Sequence, residues 1–325
     1  MRVLLTGSSG WLGRTLAPAL RAAGHAVTGL DVVPSPETAV VGSVADRALV
    51  RQAIGDHAIE AVIHSGALHK PDIERFGRQA FVDVNIAGAL NLLEEAVAQD
   101  VGRFVFTSTT SLMISETIRA GAAGGARRAE WLTENSPVQP RNIYGITKLA
   151  AEQLCRLVHR EHGLPVVVLR TSRFFPEADD MAHAIAQSDE NTKANELLFR
   201  RLTVEDAARA HLLALARAPD LGFDLFIVSA PPPFSPADVE ALIQDAPAVV
   251  ARCFPRYPDL YARRGWTMFD SIDRVYDPSR AAARLGFVCR TGFAQVLEAL
   301  EAQLSTEITE PSRLGLLDYV RNKMA

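Results

Sequence analysis

Tyr144 and Lys148 are the residues of this sequence best suited to chemistry on an alcohol or a ketone. They lie four positions apart in Tyr144-Gly-Ile-Thr-Lys148, a spacing that places both side chains on one face of a helix. A free tyrosine has a pKa near ~10, so its use as a base at pH 7 costs about 4 kcal/mol. A neighbouring lysine charge lowers that cost. The pair is therefore predicted to exchange a proton with a substrate.

A run of hydroxyl side chains precedes this pair. The predicted strand Phe104–Thr107 continues into Ser108, Thr109, Thr110 and Ser111. Open α/β sheets bind ligands beyond the carboxyl ends of their strands, so a hydroxyl here could bond the substrate oxygen. Taken alone, a tyrosine–lysine spacing of four arises by chance, and a hydroxyl run can simply cap a strand end. Their joint occurrence, in this order after a glycine turn, favours a catalytic site.

A glycine-rich turn, Thr6-Gly-Ser-Ser-Gly-Trp-Leu-Gly13, follows the first predicted strand. Glycines let backbone N–H groups and a helix N-terminus approach a pyrophosphate, although such turns can also be mere tight loops. Asp31 ends the second predicted strand, about 20 residues further on. A carboxylate there would accept hydrogen bonds from the ribose of NAD and repel the extra phosphate of NADP. The alternative role for Asp31 is to cap a turn.

Apolar runs and helix-length stretches alternate along the first half of the chain. The runs are Arg2–Leu5, Ala26–Leu30, Ala61–His64, Phe104–Thr107 and Pro165–Arg170. The stretches with apolar residues at helical spacing are Trp11–Ala23, Ala45–Gly55, Asp83–Gln99 and Tyr144–His162. Because parallel strands need crossover helices, the pattern predicts an α/β fold, a doubly wound parallel Rossmann sheet with a smaller C-terminal substrate lobe. Val204–Ala216 and Leu225–Val228 should add one helix and one strand.

The second lobe is predicted where this alternation weakens, after residue 171. Prolines cluster there at 231–233, 255 and 258. We predict an NAD-binding domain over residues 1–170, to which 200–230 returns, and a substrate-binding lobe of 171–199 and 231–325. Aromatic residues of this lobe could line the substrate pocket or pack a core. They are Phe254, Tyr257, Tyr261, Trp266 and Phe269.

A long loop is expected between Ser111 and the turn at 133–137. It is rich in glycine and alanine over 120–126 and carries Arg119, Arg127 and Arg128. Such a loop could close as a lid over an anionic substrate. It could equally be a solvated basic face, because exposed charge runs often have no specific partner.

The bulk composition narrows the class of protein. The chain of 325 residues is 48% hydrophobic and 22% charged, with a net charge of -4, which suits a globular enzyme and argues against nucleic-acid or membrane partners. Three widely spaced cysteines suggest no disulfide framework, so a reducing cytoplasm is expected. The opening apolar run Val3–Leu5 is too short for a signal peptide. His159 and His162 lack an acidic neighbour, so no metal is predicted.

These motifs together resemble the extended short-chain dehydrogenases/reductases, the family of UDP-galactose 4-epimerase, sugar dehydratases and sugar dehydrogenases. Further matching pieces are His64–Leu68, Asn85, Leu202–Ala208 and the stretch from Asp277 to Phe287. The resemblance implies that Tyr144 is the acid–base residue, that Lys148 lowers its pKa and that Thr109 orients the reacting hydroxyl. It also implies a homodimer built from the helices that hold Asn85–Gln99 and Tyr144–His162.

The resemblance further implies a set of binding residues. NAD would contact Gly7, Ser9, Gly10, Trp11, Leu12, Gly13, Asp31, Ser43, Val44, Ser65, Gly66, Ala67, Asn85, Thr107, Tyr144 and Lys148. The substrate would contact Thr109, Thr110, Ser111 and Arg173. Asp46 would lie near the adenine, although many members carry an acidic residue where this chain has Ser43.

Departures from the family pattern favour one reaction. Dehydratases follow the catalytic threonine with Asp-Glu, whereas here Thr109 is followed by Thr110 and Ser111. The segment from Pro176 to Leu202 is short for an enzyme that grips a nucleotide diphosphate, and it resembles the free-sugar and uronate dehydrogenases. Arg173 stands where those enzymes place a polar substrate contact, and a guanidinium suits a carboxylate or phosphate. Arg173 could instead form an ion pair with Glu177 or Asp179.

We therefore expect hydride transfer between NAD and a secondary alcohol or ketone of a small, anionic sugar or sugar acid. A sugar C4 epimerase that retains its cofactor is the alternative, because the same three catalytic residues serve both reactions. A third possibility is a non-catalytic NAD-binding protein, against which the intact Tyr144, Lys148 and Thr109 argue.

Overall fold

A parallel β-sheet forms the centre of the molecule. The computed structural model describes residues 1–116, 118, 126–174 and 187–306. The strands are β1 (Arg2–Thr6), β2 (Ala26–Asp31), β3 (Val40–Val41), β4 (Ala61–His64), β5 (Phe104–Thr109), β6 (Glu130–Leu132), β7 (Val166–Thr171), β8 (Phe223–Val228) and β9 (Arg274–Tyr276). Seven of them form one sheet in the order β3-β2-β1-β4-β5-β7-β8, and every pair in it is parallel. The predicted doubly wound Rossmann sheet is confirmed.

Helices cover both faces of this sheet. They are α1 (Trp11–Ala22), α2 (Arg47–Asp56), α3 (Arg78–Phe81), α4 (Gly88–Ala98), α5 (Ile143–His162), α6 (Asp189–Glu196), α7 (Val204–Leu221), α8 (Val239–Gln244), α9 (Ala246–Cys253), α10 (Tyr257–Arg264) and α11 (Phe293–Thr306). Successive strand residues point to opposite faces, so Val3 and Leu5 pack with α1 and α7 whereas Leu4 packs with α2, α4 and α5. Both faces are dry, which explains why the strands are apolar throughout.

Two features of this domain could not be predicted from the spacing of apolar residues in the sequence. Strand β3 has only two residues, too few to show an alternation. The predicted helix Asp83–Gln99 begins instead as a π-helical segment, Val82–Ala87, which joins α3 to α4. A π segment inserts one residue per turn and often marks a functional site, and this one contains Asn85.

A second core lies beside the sheet. It is built from α6, α8, α9, α10 and α11 together with β6 and β9, which pair in parallel. Tyr261 and Trp266 are 2% and 9% exposed and meet edge to face, with ring centroids 5.4 Å apart. All five aromatic residues named above belong to this core or pack against it, which favours the core-packing alternative. The boundaries predicted at residues 170, 199 and 230 stay a prediction.

Candidate active site

The carboxyl ends of neighbouring strands bring the predicted motifs together. Thr6 of β1 lies in register with His64 of β4, and Thr109 of β5 with Thr171 of β7. The glycine turn, the loop 65–69, the hydroxyl run and Arg173 follow these four strands in turn. They therefore meet along one edge of the sheet, where its strand order reverses between β1 and β4.

The glycine turn can only be made by glycines. Gly7 has φ of +73°, and a Cβ built on it would lie 2.7 Å from the amide nitrogen of Gly66. A Cβ on Gly13 would collide with the carbonyl oxygen of Gly7. These contacts are to backbone atoms, so no side chain could move aside. The turn thus leaves a backbone cradle at the start of α1, and this cradle fits the pyrophosphate of a dinucleotide.

Asp31 takes the turn-capping role considered for it, and its contact with the ribose of NAD stays a prediction. Its carboxylate accepts hydrogen bonds from the amide of Ser9 at 3.0 Å and from that of Val33 at 2.9 Å. It therefore ties the glycine turn to the end of β2 while its charge stands beside the cradle. The loop from Val32 to Thr38 contains no lysine or arginine, so no basic side chain of this loop could bind the extra phosphate of NADP.

Several predicted cofactor residues have side chains that point into the protein. Leu12 is buried in the core between the sheet and α1, and the hydroxyl of Ser65 donates to the carbonyl of Thr6 at 2.7 Å. The hydroxyl of Thr107 bonds the Nε2 atom of His211 at 2.7 Å. Any contact of these residues with NAD would come from their backbone atoms.

Residues 43–46 form the turn into α2. The Ser43 hydroxyl accepts from the amide of Ala45 at 3.2 Å, and Val44 is buried against Gly88 of α4. Asp46 caps α2, accepting from the amides of residues 48 and 49. Its carboxylate is thus engaged within the protein, and its implied place near the adenine stays a prediction.

Asn85 joins the loop after β4 to the helix that carries the catalytic pair. Its side-chain amide accepts from the amide of Leu68 at 2.8 Å and donates to that residue's carbonyl at 3.0 Å. It also donates to the hydroxyl of Thr147 at 3.0 Å. The buried Asn85 therefore positions the loop 65–69, with Ala67 in it, against α5.

Tyr144 lies at the start of α5 with its ring in the cleft. Helix α5 is capped by Asn142, whose side chain accepts from the amide of Gly145. Burial raises the pKa of Tyr144 to about 12, while a hydrogen bond with Thr109 acts to lower it. At pH 7, ionising such a tyrosine would cost about 7 kcal/mol. The structure therefore brings Thr109 close to Tyr144, whereas the predicted role of Thr109 in orienting the substrate hydroxyl stays a prediction. The phenol needs further positive charge to act as a base.

Lys148, the residue expected to supply that charge, lies one turn along α5. It is 3% exposed, and its Nζ atom lies 4.4 Å from the centre of the Phe106 ring. Burial lowers the pKa of Lys148 to about 8, and the negative charge of Glu152 raises it. The lysine thus remains largely charged at neutral pH.

The hydroxyl run forms a short turn beyond β5. The amide of Ser111 donates to the Thr109 hydroxyl at 3.1 Å, and that hydroxyl donates to the Ser111 side chain at 3.0 Å. Thr110 is 4% exposed. Thr109 and Ser111 therefore share the part of the run that faces Tyr144, and substrate contacts from Thr110 and Ser111 stay predictions.

Arg173 belongs to a cluster of charged side chains beyond β7. It lies 3.5 Å from a carboxylate oxygen of Glu196, which also pairs with Arg200 at 2.8 Å and Arg201 at 2.7 Å. Burial and the neighbouring guanidinium groups lower the pKa of Arg173 to about 10, while Glu196 raises it. The ion pair considered for Arg173 is thus made with Glu196. Glu177 and Asp179 lie outside the described residues.

His69 is a residue of this cleft that the sequence reasoning missed. Its ring lies beside that of Tyr144, with centroids 5.6 Å apart, and burial lowers its pKa to about 4. His69 directly follows the motif His64–Leu68, and extending that motif by one residue would have found it.

Some expectations concern parts that the structure does not describe. One third of the 112–135 loop that could form a lid, residues 117 and 119–125 with Arg119, lies outside the described residues, as do residues 176–186 of the short segment from Pro176. Arg127 and Arg128 are described and exposed, and the lid stays a prediction. Within the described parts, no helix is long and apolar enough to cross a membrane.

Comparison with known proteins identifies sugar-metabolising enzymes to which this chain is similar. A UDP-glucose 4-epimerase of Azospirillum brasilense is 26% identical over 248 residues, which span 66% of this chain and 68% of the relative. An L-arabinose 1-dehydrogenase of Haloferax volcanii is 32% identical over 52% of this chain and 65% of its own length. A uronate dehydrogenase of Pseudomonas syringae is 26% identical over 54% and 60%. The chain therefore spans less than two thirds of these two dehydrogenases.

The fold and a family model give the assignment. A short-chain dehydrogenase/reductase superfamily protein from Agrobacterium tumefaciens, solved with bound NAD, superimposes with a TM-score of 0.64 over 95% of this chain and 99% of its own, at 24% identity. Residues 3–222 match the model of the NAD dependent epimerase/dehydratase family. The chain belongs to this family of extended short-chain dehydrogenases/reductases, and its cofactor is NAD.

Proposed function

We propose that the protein is an NAD-dependent dehydrogenase that oxidises a secondary alcohol of a small, anionic sugar or sugar acid. The observation that carries this proposal is the placement of Tyr144 and Lys148 one helical turn apart in the buried face of α5, with Thr109 at the end of β5 and a cluster of arginines beyond the next strand. Tyr144, Lys148 and Thr109 suit the oxidation of an alcohol, and the arginines suit the recognition of a negatively charged substrate.

Tyr144 and Thr109 would hold the reacting hydroxyl between them. The Thr109 side chain orients the substrate oxygen, and the Tyr144 phenolate removes its proton as the carbonyl forms. NAD, when bound, accepts the hydride from the same carbon. The glycine cradle and Asp31 would hold the cofactor, while the charge of Lys148 lowers the cost of ionising Tyr144.

The arginine cluster favours an anionic substrate. Among the described residues, four guanidinium groups share two carboxylates here: Arg173, Arg200, Arg201 and Arg274 surround Glu196 and Asp273. Arg173 is the most exposed of the three arginines on Glu196, with 29% of its side chain accessible. A planar guanidinium at the accessible end of this cluster suits a carboxylate or phosphate.

Substrate screening with NAD tests the proposal. We expect steady accumulation of NADH with a free sugar acid or sugar phosphate, and a rise of about 10-fold or more in KM for the Arg173→Met variant with little change in kcat. The matched control is Arg217→Met, because Arg217 pairs only loosely with Asp220 on the exposed side of α7. An Arg173 variant with the parent KM would contradict the assigned role of Arg173.

A sugar epimerase is the second candidate, because the Azospirillum brasilense relative is an epimerase that aligns over two thirds of both chains. In that case the protein would carry tightly bound NAD, release no NADH and interconvert UDP-sugar epimers. Absence of turnover with every candidate would instead support a non-catalytic NAD-binding protein.

We also propose a homodimer formed through α4 and α5. Ile146, an apolar residue of α5, is 51% exposed and is therefore available to such an interface. Light scattering should give twice the chain mass, and Ile146→Glu should give the monomer. A monomeric parent protein would refute this arrangement.

The three cysteines are free thiols, which supports a cytoplasmic location.

A further inference from the structure

Lys148 must remain protonated although its side chain is buried. The titratable groups that face it come from α5, β4 and the following loop, and β5 contributes an aromatic ring. They are Tyr144, Glu152, Cys155, His64 and His69, with Phe106. Burial keeps both histidines neutral by lowering their pKa values, and burial raises the pKa of the Cys155 thiol. Among these groups, Glu152 is the one that contributes a carboxyl group.

Glu152 is held rigidly. It is 3% exposed and receives two hydrogen bonds from Arg170 of β7, at 3.0 Å from Nε and 2.7 Å from the terminal nitrogen. The hydroxyl of Ser108 on β5 donates a third at 2.5 Å. A planar guanidinium that grips a carboxylate with two parallel bonds fixes its orientation as well as its charge.

The position of this ion pair suggests more than stability. A buried ion pair contributes little net stability compared with apolar residues of similar volume. Here the carboxylate stands four residues after Lys148 on α5, on the same helical face, while Arg170 reaches it from the neighbouring strand. The carboxylate of this ion pair therefore lies on the same helix as Lys148, and its guanidinium lies on β7.

We propose that Glu152 is a positioning residue for the reaction, whose carboxylate, fixed by Arg170 and Ser108, keeps the Lys148 ammonium charged inside the cleft. The proposal rests on the assigned role of Lys148 but not on the identity of the substrate. An arginine cannot lose its proton in a protein. If the Glu152 carboxylate is removed, the cations of Arg170 and Lys148 remain without a negative charge between them. Because Arg170 stays protonated, Lys148 becomes neutral.

Two substitutions should move Lys148 in opposite directions. Glu152→Gln removes the negative charge, so the pKa of Lys148 should fall by about one unit or more below that of the parent. Arg170→Met leaves the carboxylate to act on the lysine alone, so the same pKa should rise. A purely structural pair predicts a different result, because a loosened core would admit water and raise the pKa of Lys148 towards ~10 in both variants.

The titration can be observed directly. The chain has four lysines, at positions 70, 148, 193 and 323, so isotope-labelled lysine gives a simple NMR spectrum in which Lys148→Arg identifies the signal. Glu161→Gln, at an exposed site of α5, is the matched control. In the Glu152→Gln variant the alkaline limb of the pH profile of kcat/KM should move down together with the pKa of Lys148.

Each outcome decides the question. Opposite shifts in the two variants support the proposal, whereas an unchanged pKa or a rise in both overturns it. If Glu152→Gln does not fold, a Lys148 pKa in Arg170→Met that stays at the parent value refutes the proposal by itself. The NMR titration needs no substrate, so a failure to find turnover would count against the proposed function and leave this result intact.

Discussion

Replacement of Asp31 by asparagine separates the two roles of that carboxylate. The amide of Ser9 donates to one oxygen of the carboxylate at 3.0 Å, and that of Val33 donates to the other at 2.9 Å. Asparagine keeps the shape of the side chain but only one acceptor oxygen, so the variant removes the charge and one hydrogen bond of the turn. A hydrogen bond to a charged group contributes roughly 1.5–3 kcal/mol, so the Kd for NADH should rise by about one to two orders of magnitude.

NADPH should respond in the opposite direction. A unit charge about 5 Å from a phosphate charge, at an effective dielectric constant of ~20, is repelled by roughly 3 kcal/mol. In Asp31→Asn, the free energy gained by removing this repulsion should equal or exceed the free energy lost with the ribose hydrogen bonds. NADPH should therefore bind to the variant at least as tightly as to the parent. The preference for NADH over NADPH, measured by titration of nucleotide fluorescence, should fall by about two orders of magnitude or more.

Asp245→Asn is the control for this experiment. It removes an equal charge from the cap of α9, far along the chain from the glycine turn, where asparagine caps as well as aspartate, so the nucleotide preference should not change. If Asp31→Asn binds the two nucleotides in the same ratio as the parent, the carboxylate serves only the turn and its assignment to the cofactor site is wrong.

Three further predictions follow from the same structure. Tyr144→Phe should lower kcat by roughly 10²-fold to 10⁴-fold while NADH binds as before, and an active variant would exclude Tyr144 as the acid–base residue. Gly13→Ala places a Cβ against the backbone of the glycine turn and should abolish nucleotide binding, whereas Gly77→Ala points into open space and should bind normally. Burial lowers the pKa of His64 to about 3 and the pKa values of His69 and His211 to about 4, so the unfolded chain takes up more protons below pH ~6.5. The free energy of unfolding in urea should therefore fall by about 4 kcal/mol from pH 7 to pH 5.5, and His211→Gln should remove about a third of that fall.

The sheet and its crossovers could be predicted because their signals are local. A buried parallel strand such as β7 must be apolar throughout, and an amphipathic helix such as α1 must alternate at helical spacing. The glycines at 7 and 13 were predictable for the same reason, since their turn excludes any side chain. The strand ends then determined which motifs had to meet.

Contacts that depend on tertiary packing could not be predicted. Thr107 belongs to the hydroxyl run, yet its side chain turns to His211 of α7, a residue 104 positions away in the sequence. Arg173 is predicted to contact the substrate or, as the alternative, to pair with an acidic residue close to it in the chain, whereas its described partner is Glu196 on α6. No periodicity of the sequence reports such long-range pairs.

Glu152 lies between these cases. Its spacing from Lys148 is visible in the sequence, because four residues on a predicted helix share a face. Its partners on β5 and β7 are visible only in the fold. Residues that follow a catalytic motif at helical spacing are therefore worth examining even when the motif itself ends earlier.

The irregular helix around Asn85 has a consequence for how the site responds to its cofactor. One side chain holds both Leu68 of the loop and Thr147 of α5, so neither can shift without disturbing the other. Binding of NAD in the cradle of the glycine turn should therefore reduce the motion of Tyr144. Backbone amides at Leu68 and Gly145 should then slow their hydrogen exchange together when NAD is added, as parts of one mechanical unit.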